Sequence, residues 1–181
     1  MQISVESWII QDGNYPDFVV GSKNMFALEF WEPQRPLSKT TSTIKNMVHQ
    51  QGPKYEVTGK VIVATEGILV LDFGILAYSD KVKLKTTITE GDFLTGTITL
   101  GIDYYLYQET LYRDEKMPAM KYEWQIESIF INRGKWRQSG RTLTRINDVF
   151  ENINKTDAWN DDSGRANYHI DCKLLEQEPT K

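Results

Sequence analysis

Apolar side chains recur at every second residue through the middle of this chain, a period that selects β-strands over helices. Tyr55, Val57, Gly59, Val61 and Val63 share one face, and Glu56, Thr58, Lys60 and Ile62 lie opposite. Glu66-Gly67 follows as a turn. Residues 68–78 then form a strand apolar on nearly both faces, interrupted by Asp72 and Gly74, so the two segments are expected to make a hairpin. Lys81, Lys83 and Lys85 alternate with Val82, Leu84 and Thr86 as a strand with one solvated face. Past Glu90-Gly91-Asp92, one long strand is expected over residues 93–107. Leu94, Ile98, Leu100, Ile102, Tyr104 and Leu106 share one of its faces; Asp103, Tyr105 and Tyr107 lie on the other with Thr95, Thr97 and Thr99. Gly96 and Gly101 mark bends or bulges, where a missing side chain lets a sheet curve. Residues 121–132 read as a further strand, with Tyr122, Trp124, Ile126 and Phe130 in register.

The flanks are less regular. Residues 2–10 and 25–31 read as an N-terminal strand pair, separated by Asp12-Gly13-Asn14 and Tyr15-Pro16-Asp17 as turns, with Pro33 and Pro36 ending the second strand. Residues 38–53 are a polar connection with a short helix around 44–48. Leu143, Ile146, Val149, Phe150 and Ile153 fall at helical spacing, so residues 142–154 are expected to form an amphipathic helix, their β-branched content leaving a strand as the alternative. Ala166, Tyr168, Ile170, Cys172 and Leu174 alternate as a last strand, and the tail from residue 176 frays. The expectation is one mainly β domain over residues 1–181: a curved antiparallel sheet or small barrel resembling the oligonucleotide/oligosaccharide-binding (OB) architecture. It combines the N-terminal strand pair (1–37), the connection (38–53), a central β core (54–132) and a C-terminal helix plus final strand (142–175). Architecture of this kind does not imply function.

Charge and cysteine content narrow the setting. A net charge of −4 argues against general affinity for nucleic acid or anionic membrane, while leaving room for a local basic patch. One cysteine cannot form an internal disulfide, so a reducing compartment, the cytoplasm, is expected. Met1 to Glu6 lacks the basic and apolar regions of a signal peptide, and no stretch approaches the roughly twenty apolar residues of a membrane span.

Motif-bearing chemistry is sparse. The two histidines, His49 in the polar connection and His169 on the outer face of the last strand, lie in no metal-ligand spacing. Neither a nucleophile elbow nor a glycine-rich phosphate loop appears. No cofactor or metal is therefore expected. A hydrolase using two carboxylates leaves no local motif and stays open. Asp72, within an apolar run, is expected to be buried. It is either a tuned acid or a structural carboxylate capping amides beside Gly74. Asp103, Tyr105 and Tyr107 share a face of the long strand, with Lys121, Glu123 and Gln125 lined up on a neighbour, a polar aromatic strip suited to stacking on bases, sugars or a partner's loops; a nucleic-acid-binding face would use Tyr105, Tyr107 and Trp124. The alternative is a solvated sheet face held by cross-strand pairs. The three lysines suit phosphates or an edge protected from sheet-to-sheet pairing. The loop at residues 156–164 concentrates Asp157, Asp161 and Asp162 around Trp159. Its order does not match a calcium loop, so Asx turns or an exposed anchor for a basic partner are expected. Cys172 reads as a small buried hydrophobe.

Five tryptophans and nine tyrosines on an acidic chain point to a non-enzymatic binding protein with an aromatic and acidic contact surface. A protein partner is expected, and an immunity protein neutralising a basic toxin is one concrete form. Single-stranded nucleic-acid binding through an OB-like face is the second reading, and a carboxylate-dependent enzyme the third.

Overall fold

Alternating segments pair edge to edge until one edge of the longest strands closes on itself. A computed structural model describes residues 1–31, 36–81, 87–176 and 178–181. Along the chain it contains β1 (Gln2–Glu6), a single helical turn α1 (Ser7–Gln11), β2 (Lys23–Phe26), β3 (Leu28–Trp31), β4 (Ser38–Lys39) and β5 (Asn46–Gln51). These are followed by β6 (Lys54–Ala64), β7 (Leu69–Asp72), β8 (Leu76–Ser79), β9 (Phe93–Ile102), β10 (Tyr122–Asn132), β11 (Trp136–Ser139), β12 (Thr142–Arg145), β13 (Phe150–Ile153) and β14 (Asn167–Leu174). Among the described residues no helix is long and apolar enough to cross a membrane.

The expected mainly β architecture with a small barrel is what the chain adopts. Strand β6 pairs with β7, β7 with β8, β8 with β3, β3 with β9, and β9 with β6 again, closing a five-strand barrel. Only the β3–β8 contact in this ring is parallel. Closure leaves these strands without a free edge. Leu28, Phe30, Val57, Val61, Leu71, Leu94 and Ile98 are buried in the principal core. A second sheet grows from the barrel wall. Strand β1 joins β9 in parallel through Ser4 and Gly101, β14 pairs with β1, and β10 pairs with β14. The far edge of β10 takes β13 at one end and β2 at the other.

Several local expectations are corrected. Residues 68–78 are not one strand: Gly74 adopts a φ of 109°, and the chain reverses so that β7 pairs with β8. The two N-terminal strands do not pair with each other, because β1 finds β14 and β9, whereas β3 enters the barrel. The connection at 38–53 carries β4 and β5 instead of a helix at 44–48. The amphipathic helix expected at 142–154 is replaced by β12, paired with β11, and β13, paired with β10. The apolar side chains that suggested it, Leu143, Ile146, Val149 and Phe150, are exposed, so no core faces them to reward a helix. Within β10 the pairing slips between Ile126 and Ser128. That bulge turns Ile129 and Ile131 inward and Phe130 outward, reversing the register expected for Phe130. Lys83 and Lys85, with the strand expected around them, lie outside the described residues.

The β11–β12 hairpin is fixed at its base by Asn132. Its side-chain oxygen accepts the Gly134 N–H at 2.9 Å, and its amide donates to Asp148 at 2.6 Å. At Gly134 a Cβ would lie 1.7 Å from the Asn147 carbonyl oxygen. Gly134→Ala is therefore expected to cost about 1–3 kcal/mol through forced backbone movement, read as a lower thermal midpoint.

Candidate binding groove

The register of the second sheet lines up side chains from five strands on its outer face. Phe130 of β10 pairs with His169 of β14, His169 with Ser4 of β1, Ser4 with Gly101 of β9, and Gly101 with Glu29 of β3. A neighbouring row contains Ser128, Asp171 and Gln2. Strand alternation produces this surface: Ile3, Val5, Tyr168, Ile170, Ile129 and Ile131 point into the core, so the residues between them face outward. Above the rows lies an open groove of about 1240 Å³.

Aromatic rings stand among these polar groups. The Trp31 ring packs against Gly101, where a Cβ would lie only 2.6 Å from it. Phe150 stacks on His169 with centroids 4.1 Å apart. Trp136, from the hairpin, is covered by the Arg145 guanidinium at 4.2 Å. Trp8 stands exposed beyond the end of β1, its indole N–H donating to Glu6.

Several charged groups in and beside the groove are held within the protein, whereas Glu6, exposed in the lining, makes no ion pair among the described residues. Asp171 accepts from Gln2 at 2.9 Å and from Ser128 at 2.5 Å. Asp148 accepts from Asn132, and Arg145 bonds Asp162 at 2.8 Å together with the carbonyls of Asn132 and Gly134. Burial lowers the His169 pKa to about 4 despite nearby Asp148 and Asp171, so its imidazole is neutral at pH 7. Among the described residues, nothing hydrogen-bonds the His169 ring or the Thr99 hydroxyl. Lys54 and Arg165, both exposed on the rim, make no ion pair there.

At the barrel end of the central row, burial raises the Glu29 pKa to about 8, with Asp80, Asp103 and Glu6 adding to the rise and Lys81 opposing it. Lys81 Nζ is 3.9 Å from Glu29 and 4.8 Å from the centre of the Tyr104 ring. Tyr104 in turn donates to Asp80 at 2.5 Å.

The residues singled out from the sequence are dispersed. Strand β9 stops at Ile102, so the expected strip does not form. Asp103 is wholly buried, where its carboxylate accepts from Tyr78 at 2.5 Å and from the N–H groups of Tyr107 and Gln108 at 2.9 and 3.1 Å. It thereby holds the start of a π-helical turn at Leu106–Thr110. Desolvation raises its pKa against these bonds. Tyr107 is buried, donating to the Pro118 carbonyl and accepting from Met120 N–H. Tyr105 has a φ of 104° and donates to the Ile9 carbonyl. Trp124 is a core residue stacked on Phe26. Asp72 is not buried as expected; it pairs with Lys45 at 2.6 Å and accepts the Gly74 N–H at 3.0 Å. Asp161 receives the Tyr168 hydroxyl, and Asp162 receives Trp136 and Arg145, so both hold the loop against the sheet. Trp159 in that loop stands exposed, at 69%. His49 is exposed and bonds the Gly52 carbonyl. Cys172 is buried, and burial pushes its thiol up to about 12.

Sequence reasoning missed Trp31, Phe130, Trp136 and Phe150. Only their strand registers bring them together, and no spacing along the chain records it. Among the described residues no group of three or more His, Cys, Asp or Glu is placed to hold a metal ion. Comparison with protein-family models, with curated proteins and with solved structures finds no match to this chain.

Two stability measurements test these assignments. Asp103→Ala leaves two buried donors and one part-buried donor without an acceptor and is expected to cost about 3 kcal/mol or more, read as a lower urea midpoint. For Glu29, the folded state keeps its proton up to about pH 8 while the unfolded chain releases it near 4.5, so this group's contribution falls as pH rises between those values. Glu29→Gln removes that loss. It should exceed the parent protein in stability by about 2–4 kcal/mol at pH 8.5, with the difference vanishing toward pH 4.5.

Proposed function

We propose that this protein is a binding protein rather than an enzyme, and that its contact surface is the groove on the second sheet. One observation carries the reading. Rings from β3, β10, β11 and β13 converge with the unengaged groups of His169 and Thr99 in one open channel. Binding sites combine flat apolar surface with a few placed polar groups in this way. The barrel, with its single parallel pair, supports an OB-like description of the core. In this reading the barrel is the scaffold and the added sheet is the recognition element. A protein partner would instead meet the acidic loop beside the channel. Trp159 is the exposed aromatic that the acidic loop offers such a partner outside the channel.

Site-specific photo-crosslinking in the native host tests this without assuming the ligand's class. A photoreactive residue at Lys54 or Arg165, on the groove rim, is expected to trap adducts. The same residue at Glu66 or Glu115, both exposed away from the groove, is expected to trap none. Adducts formed equally at all four positions, or only at the latter two, would overturn the assignment.

A further inference from the structure

We infer that the ligand of this groove is a chain of neutral sugar rings, an inference that rests on the groove being the contact surface. The charges of the groove lining balance. Glu6 and Asp148 stand against Lys54 and Arg165, Arg145 is paired with Asp162 at 2.8 Å, and His169 is neutral at pH 7. A single nucleic-acid strand brings a negative charge with every nucleotide and needs cations in step with them. Among the described residues of the lining, Lys54 and Arg165 are the only cations without an ion pair, the exposed Glu6 carboxylate offsets one of them, and the chain as a whole carries −4. That balance disfavours a polyanion.

The floor is equally ill-suited to an apolar side chain. Gln2, Asn167 and His169 are half-buried in it, and Ser4 and Thr99 are nearly covered. Burying them under hydrocarbon would leave polar groups without partners. A sugar ring matches both kinds of surface, since one face presents C–H groups and the rim presents hydroxyls. The C–H face suits the Trp31, Phe130 and Phe150 rings, which offer broad apolar planes. The hydroxyl rim suits Thr99 and His169. Neutral imidazole has one donor and one acceptor nitrogen, and a hydroxyl both donates and accepts. The cross-strand register places His169 directly between Phe130 and Ser4, so a hydrogen-bonding group sits beside a ring where a sugar would need both. With about 1240 Å³, the groove exceeds the usual small-molecule pocket of roughly 300–1,000 Å³, so several linked rings fit.

The test is titration of the intact protein with four neutral hexasaccharides: maltohexaose, cellohexaose, xylohexaose and the N-acetylglucosamine hexamer. Tryptophan fluorescence and saturation-transfer NMR report binding, and a twelve-residue thymidine strand serves as the anionic comparison. At least one hexasaccharide is expected to bind with a Kd below about 1 mM, unchanged between about 50 and 500 mM salt. Phe130→Leu and His169→Gln keep much of the side-chain volume and should each weaken binding about tenfold at near-parental thermal midpoints. Absence of binding by all four at about 10 mM overturns the sugar assignment. The groove assignment then stands or falls separately on the crosslinking pattern. Thymidine-strand binding that falls steeply with salt overturns the sugar in favour of nucleic acid. Sugar binding untouched by either substitution overturns both assignments, because the sugar would then sit elsewhere.

Discussion

The outer sheet exists because one edge of β9 changes partner. Up to Thr99 that edge is held by β6 and belongs to the barrel; at Gly101 it passes to β1. The transfer rests on a single parallel bridge between Ser4 and Gly101, at a position where the sheet carries no side chain. The vacated volume is filled by Trp31, which reaches across from β3. A larger residue at 101 would meet that ring and the Ser4 carbonyl together. The same small residue thus joins two structural units and brings an indole into the groove. Sheet extension and the Trp31 wall of the groove are two results of one local geometry.

Polar side chains do much of the remaining organisation. Asp103 gathers a tyrosine hydroxyl and two amides where β9 ends, so the chain can leave the barrel without stranding buried donors. Asn132 serves the hairpin base through both ends of its amide. Asp161 and Asp162 bind the loop after β13 to Tyr168, Trp136 and Arg145. Part of the acidic excess in the composition is therefore taken up internally, because several carboxylates are occupied as acceptors within the fold. Trp136 shows the same economy in another form: its ring carries Arg145 while its N–H meets Asp162.

Much of the barrel was legible in the sequence because strand period and turn residues are local properties. The β6–β7 hairpin, the glycine at the 67 turn and the final strand at β14 follow from them directly. What the chain did not disclose is pairing between distant segments, and the groove consists of little else. Phe130 illustrates the difficulty. One extra residue near 127 inverts the facing of everything after it, and no alternation pattern shows which side of the slip is correct. The apolar positions at 143–150 fail for a different reason. Their spacing suits a helix, but strand partners at β10 and β11 were available and no buried surface faced a helical stripe. Asp103 looked like a surface residue because the strand was assumed to run on past 102, and its true role became visible only where β9 ends.

The pairing of β1 with β14 has a bearing on how the molecule is assembled. The Met1 amine donates to the Cys172 carbonyl at 2.7 Å, and the Cys172 N–H returns a bond to Met1 at the same distance. During synthesis β1 therefore waits for a partner far along the chain, β14. Loop closure across such a separation is slow, and the barrel strands β6 to β9 complete their local pairings long before it occurs. The groove floor, which needs β1, β10 and β14 side by side, is then among the last surfaces to form. The completed groove is a late property of this chain, acquired only when its two distant strands have met.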